Sequence, residues 1–263
     1  MDNGNALLDA RDVTIRFGGL TAVSHFNLAV QPHELVGLIG PNGAGKTTVF
    51  NMLTGVYKPT EGEIFVGGTP TRECKPYQIT ALGVSRTFQN IRLFKELSVL
   101  DNVKIGGHIH YTYSSASAVL KTNRFEEAEE VAEREAVELL QIFGLEERAA
   151  YYAKNLPYGD QRRLEIARAL AVRPKLLLLD EPAAGLNDRE TRDLMQTIYG
   201  IRDRFDIAIL VIEHNMELVM GICERIIVLS FGKTIAQGTP AEVRANPVVI
   251  EAYLGEPAEA AGV

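Results

Sequence analysis

Cysteine is scarce in this sequence. Cys74 and Cys223 are the two in 263 residues, and they form no metal-type pair. A reduced, intracellular setting fits that usage best. Long apolar runs are missing as well. No stretch approaches the ~20 residues needed to span a bilayer, so membrane association has to come through a partner. The N-terminus carries Asp2, Asp9 and Asp12 with no long apolar segment, so no signal peptide is expected. Positive charge is in deficit too. A net charge of −7 argues against a generic nucleic-acid binder, and no nucleic-acid partner is expected. Internal repeats and low-complexity domains are absent. What remains is ordinary globular material, long enough for one large domain or two small ones with a sizeable core.

Against that background one stretch stands out. Gly40-Pro41-Asn42-Gly43-Ala44-Gly45-Lys46-Thr47, continued by Thr48, fits G-x-x-x-x-G-K-[ST], the phosphate-binding P-loop. The flanks fit it. Residues 35–39 (LVGLI) read as a buried strand, and residues 48–53 as a helix. A strand, a glycine-rich loop and a helix N-terminus together aim backbone N–H groups and a positive helix end at one place. The glycines let the backbone wrap a phosphate without a clashing Cβ. Lys46 is then expected to reach the β- and γ-phosphates, and Thr47 to hold Mg²⁺.

Along the rest of the chain, residues 8–17, 26–30 and 63–66 read as strands, with Gly18-Gly19 as a break. Phe17 lies upstream of the nucleotide loop. It either stacks on an adenine ring or is a plain core aromatic. Gln89 follows a strand edge, and either reaches Mg²⁺ or is a solvated loop glutamine. Apolar residues at 125, 128, 131, 132, 136, 139, 140 and 143 recur at helical steps, with Gly144 suited to the C-terminal cap. The acidic face of that helix reads as solvated. His108 and His110 read as surface histidines, since no matching ligand set accompanies them. Residues 111–117 read as a loop.

Residues 156–161 open a helix over 162–171. Gly159 and Asp160 stand at its N-terminus, where Asp160 either caps the helix or serves a second anion site. Residues 176–181 (LLLLDE) read as a buried strand ending in two carboxylates. Ligands gather at the C-terminal ends of parallel strands. Asp180 suits Mg²⁺, and Glu181 suits polarising an attacking water. His214 follows the end of another buried strand, over 207–213, where it is either structural or a γ-phosphate sensor. The expected organisation is a nucleotide-binding α/β core over 1–90 and 173–255, a helical insertion over 91–172, and a frayed tail over 256–263.

Taken together, these stretches resemble the ATP-binding subunits of ABC transporters over nearly the whole chain. The resemblance implies a P-loop NTPase core with an antiparallel β subdomain and an inserted helical subdomain. It makes 40–47 the Walker A motif, 176–180 Walker B and Glu181 the catalytic glutamate. Gln89 becomes the Q-loop glutamine, His214 the switch histidine and Phe17 the adenine-stacking aromatic. Residues 156–160 stand where the family has L-S-G-G-Q. On this basis Glu181, His214 and Lys46 are the expected catalytic residues. Phe17, Asn42, Gly43, Ala44, Gly45, Lys46, Thr47, Thr48, Gln89, Tyr158, Gly159 and Asp160 are the expected ATP contacts. Thr47, Gln89 and Asp180 are the expected Mg²⁺ ligands.

Pro157, Tyr158 and Asp160 replace the serine, a glycine and the glutamine of that signature, and Asn187 replaces an aspartate after Walker B. More closely, R-F-G-G-L at 16–20, T-F-Q-N-I-R-L-F at 87–94, 156–168, E-P-A-A-G-L-N at 181–187 and 246–255 look like the LivG-type ATPases of branched-chain amino-acid importers. In that subgroup the signature departures are normal. The implied assembly holds a second ABC ATPase, two transmembrane permease subunits and a periplasmic binding protein. The chain would lie peripherally on the cytoplasmic face of the inner membrane. A related urea or amide importer and a non-transport ABC ATPase are the alternatives. A GTPase is disfavoured, because [NT]-K-x-D is missing.

Overall fold

A computed structural model describes residues 6–111, 117–118 and 120–254. The tail expected at 256–263 and residues 112–116 of the expected loop lie outside them. Two compact units emerge. One combines the described residues up to 84 with those from 175 onward, and the other holds those of 85–174.

In the first unit, β3 (Leu35–Ile39), β7 (Leu176–Asp180) and β8 (Ala208–Ile212) are buried at every position. Such continuous apolar strands belong in a parallel sheet covered on both faces. β8 lies between β3 and β7, parallel to both, with Leu35 opposite Ile209 and Leu176 opposite Ala208. β9 (Arg225–Ser230) runs parallel to β3 on its other side, and β10 (Lys233–Gly238) pairs antiparallel with β9. β6 (Val84–Arg86) starts at the last residue of this unit's first stretch and runs on into the other unit. This order sets the C-terminal ends of β3, β8 and β7 side by side. The P-loop, His214 and the Asp180–Glu181 pair follow those three ends, so residues far apart in sequence meet at one rim.

The second sheet of this unit is antiparallel. Its strands β1 (Leu8–Phe17), β2 (Leu20–Val30), β4 (Glu61–Val66) and β5 (Thr69–Pro70) lie in the order β2-β1-β4-β5. β2 starts six residues before the strand expected at 26–30, because Gly18-Gly19 is a hairpin and not a break. Phe17 pairs with Leu20 across those two residues, and Gly18 takes the positive φ of 58° that such a tight turn needs. Val13, Ile15 and Phe26 of this sheet join a buried core with Val36 and Leu38 of β3 and Val49 and Phe50 of α1 (Lys46–Leu53).

Helix α2 (Pro76–Ala81) belongs to the first unit, as do α6 (Asp188–Phe205), α7 (Met216–Ile222), α8 (Pro240–Ala245) and α9 (Pro247–Leu254). The second unit holds α3 (Val99–Gly107), α4 (Asn123–Ile142) and α5 (Tyr158–Ala171). α4 buries Ala132, Ala136, Leu139 and Leu140, the stripe that the helical spacing marks. α5 begins at Tyr158, four residues before the start read from the sequence. Pro157 is the residue before its first turn, with φ −54°, and no side chain caps that end.

Residues 85–90, assigned to the core on sequence, group with the helices. Two buried α5 side chains hold their backbone. The Arg162 guanidinium donates to the Phe88 carbonyl at 2.8 Å and the Gln89 carbonyl at 2.9 Å. Glu165 accepts from the Arg92 amide at 3.2 Å and pairs with Arg162 at 3.0 Å. Each of the two is 1 % exposed, so neither charge is solvated and each depends on the other.

Candidate active site

The P-loop follows β3, and α1 starts at Lys46, so the amides of 46–48 form a helix's first turn with no acceptor inside the helix. Close packing explains two of the glycines. A Cβ on Gly40 would stand 2.1 Å from the Leu229 carbonyl oxygen, and Gly45 has φ 104° and lies against the Ala22 carbonyl. Backbone bonds fix the loop from outside. Gly232 donates to the Ala44 carbonyl at 2.9 Å, and Ser24 donates to the Gly232 carbonyl at 2.8 Å. Asn42, Gly43 and Thr47 face solvent around the buried Ala44, with Thr48 partly covered beside them. The loop is therefore a rigid, open cradle whose amide-rich mouth fits a phosphate chain.

Lys46 folds back along that cradle. Its Nζ donates to the Gly40 carbonyl at 2.7 Å and the Pro41 carbonyl at 3.0 Å. Burial lowers its pKa from the ordinary lysine value, while the carboxylates of Glu181 and Asp180 act in the opposite sense. Desolvation outweighs the attraction of the two acids that follow one another at the end of β7.

Asp180 is the last residue of β7 and is 2 % exposed. Glu181, read from the sequence as part of that strand, is outside it. Its φ of +48° turns the chain, and its amide donates to the Ile212 carbonyl at 2.9 Å. Left-handed backbone is unfavourable for a residue with a Cβ, and such strain gathers at functional sites. The exposed His214 places Nδ1 3.8 Å from Glu181 Oε1. Asp180, Glu181, Lys46 and His214 are therefore gathered at one rim.

Phe17 ends β1 and is 45 % exposed, so the core alternative does not fit it. Its ring meets Tyr57 edge-on, at 5.2 Å between centroids and 72° between planes. The sequence reading passed over Tyr57, because a lone tyrosine after a helix carries no pattern.

In the second unit, Gln89 is exposed in the loop that Arg162 and Glu165 hold. Tyr158 and Gly159 occupy the first turn of α5, and Tyr158 Oη accepts from Arg162 at 3.2 Å. Asp160 does not cap the helix. It pairs with Arg148, and lies 3.8 Å from Arg163. Arg148 was also missed, twelve residues upstream. His110 Nε2 hydrogen-bonds the Val172 carbonyl at 2.8 Å, a structural contact. Asn187 caps α6 by accepting from the amides of Arg189 and Glu190, both at 3.0 Å, which asparagine does as well as aspartate.

Comparison with known proteins gives this arrangement its class. Residues 23–184 match the ABC transporter family, and residues 233–259 match the branched-chain amino acid ATP-binding cassette transporter family. The chain belongs to the ABC transporter family, as one of its ATP-hydrolysing subunits. It is 50 % identical over 250 residues to the high-affinity branched-chain amino acid transport ATP-binding protein LivG of Escherichia coli K12, covering 95 % of this chain and 98 % of LivG. Among solved structures, the ADP conformation of MJ1267, an ATP-binding cassette of an ABC transporter, superposes with a TM-score of 0.82. That cassette is 28 % identical, over 95 % of this chain and 99 % of its own. The dimeric post-hydrolysis state of the cassette MJ0796, bound to ADP and phosphate, has a TM-score of 0.75 at 26 % identity, over 89 % and 98 % of the two chains.

Proposed function

We propose that this chain powers an importer of branched-chain amino acids by hydrolysing ATP at the inner face of the membrane. The observation that carries the substrate class is the 50 % identity to LivG over 95 % of the chain. The match of residues 233–259 to a branched-chain amino acid transporter family agrees with it.

The chemistry proposed for the rim is in-line attack of water on the γ-phosphorus of ATP, releasing ADP and phosphate. Glu181 takes the proton of the attacking water, and the His214 side chain, 3.8 Å away, senses the γ-phosphate. Lys46 and the amides of the 40–48 loop hold the β- and γ-phosphates, and Phe17 stacks on the adenine. Thr47 and Asp180 are the proposed holders of Mg²⁺, which when bound supplies positive charge to the phosphate oxygens. Gln89, Tyr158, Gly159 and Asp160, all of the second unit, are proposed nucleotide or metal contacts on the strength of the family resemblance.

No helix among the described residues is long and apolar enough to cross a membrane. The proposed partners are therefore a second ATPase subunit, two permeases and, through them, a periplasmic binding protein. The second unit offers a surface for the permeases. Phe94, Tyr151 and Tyr152 are each about half exposed, and the amides of Val99 and Ala153 knit residues 97–99 to 151–153. The test is uptake. Vesicles containing the chain with its permeases and binding protein should accumulate leucine, isoleucine or valine only when ATP is supplied inside. ATP-driven uptake of urea or an amide in their place would overturn the substrate assignment.

A further inference from the structure

The chemistry above gives no role to the buried carboxylate of Glu213. Glu213 follows β8 and is 0 % exposed. Its Oε1 accepts from the Ala183 amide at 2.7 Å. Its Oε2 accepts from the amides of His214 at 2.9 Å and Asn215 at 3.1 Å. The two arms thus hold two different loops. Ala183 belongs to the turn that starts at Glu181, in which the Ala184 amide donates to the Glu181 carbonyl at 3.1 Å and the Leu186 amide to the Ala183 carbonyl at 3.1 Å. His214 and Asn215 open the loop after β8.

We infer that Glu213 is a positioning residue that sets Glu181 against His214. This rests on the proposed roles of those two. Glu181 has left-handed backbone, which persists only where its surroundings over-determine it. The His214 side chain is 61 % exposed, so packing does not orient it, and its backbone is what the fold can hold. A single carboxylate accepting from three amides, one on Oε1 and two on Oε2, does both. A glutamine of the same shape has one acceptor oxygen in place of two, so it must release either the Ala183 arm or the 214–215 arm.

The experiment compares the full chain with Glu213→Gln and Glu213→Asp, and with Glu181→Gln in parallel. ATP affinity, steady-state turnover at saturating Mg²⁺ATP and thermal unfolding are measured on each. Positional error of about 1 Å costs on the order of a hundredfold in rate, so Glu213→Gln should lower kcat by about tenfold to a hundredfold. Its ATP affinity should stay within about threefold, because the phosphate cradle is built elsewhere. Glu213→Asp keeps both acceptor oxygens on a shorter stem, and should fall between the two in kcat. Native kcat in a folded Glu213→Gln variant would overturn the inference. So would a loss shared equally by affinity and turnover, or failure of both variants to fold, since each makes Glu213 a structural residue only. If Glu181→Gln itself hydrolyses ATP normally, the assignment of the base fails separately.

Discussion

Lys46 places a charge where burial opposes one. Its folded pKa lies below that of an unfolded lysine. Such a group contributes its full stability only above the unfolded lysine range, and loses it as pH falls through the folded pKa. Burial of Lys46 therefore works against the ATP-free fold, at a position proposed to hold the phosphates. Raising the pH toward the lysine range should increase stability relative to Lys46→Met and weaken ATP binding in the native chain, so the two move in opposite directions. Thermal melts and ATP titrations across that window check the sign. Phe17→Ala should weaken ATP binding by about 1–3 kcal/mol, roughly tenfold or more in Kd, if the ring stacks on adenine. Unchanged affinity would leave the ring to its contact with Tyr57. Glu181→Gln should bind ATP almost normally and turn over ~10²–10⁴-fold more slowly, since it keeps the shape but cannot take a proton. Lost binding would make Glu181 a ligand.

At the scale of elements, α5 is built around a buried ion pair. Glu165→Ala would strand the Arg162 guanidinium, which still bonds the Phe88 and Gln89 carbonyls. Removing one partner of such a pair costs about 3–5 kcal/mol, and denaturant unfolding of the variant should show a loss of that order. Replacing both partners with methionine should recover part of it, which distinguishes a stranded charge from lost packing. For α6, Asn187→Ala removes the acceptor of two amides and should cost ~1 kcal/mol, whereas Asn187→Asp should be nearly neutral. The Asn187–Glu190 capping box has the N-x-x-E spacing, but the sequence reading took Asn187 only as a departure after Walker B. α3 was not read either. Its buried residues Val99, Asn102, Val103 and Gly107 include a polar one and a glycine, so the apolar stripe is too thin to recognise.

At the scale of the molecule, the proposed cycle turns on pairing. In the assembled transporter, Glu181→Gln should accumulate an ATP-bound pair of ATPase subunits, because opening would follow hydrolysis. Particle size with and without ATP reads this out, and no shift toward the closed pair would count against it. The chain should also enter the membrane fraction only when co-expressed with its permeases. Binding to membranes without them would argue against partner-mediated attachment.

How much the sequence settled depended on the range over which each feature is written. The P-loop was complete in the sequence, because a phosphate cradle is local: eight consecutive residues supply the turns, the lysine and the helix start. The buried strands at 35–39 and 176–180 were equally plain, since strands covered on both faces read as near-continuous apolar runs, broken here only by the final Asp180. Only tertiary structure could order β3, β8 and β7 side by side, and with that bring Lys46, Glu181 and His214 to one rim. It alone showed that Glu181 leaves its strand in left-handed backbone, that Arg148 takes up Asp160, and that Glu213 spans two loops. Each of these depends on at least one partner 12 or more residues away, whose nearness is decided by sheet order and register, and no local spacing encodes either.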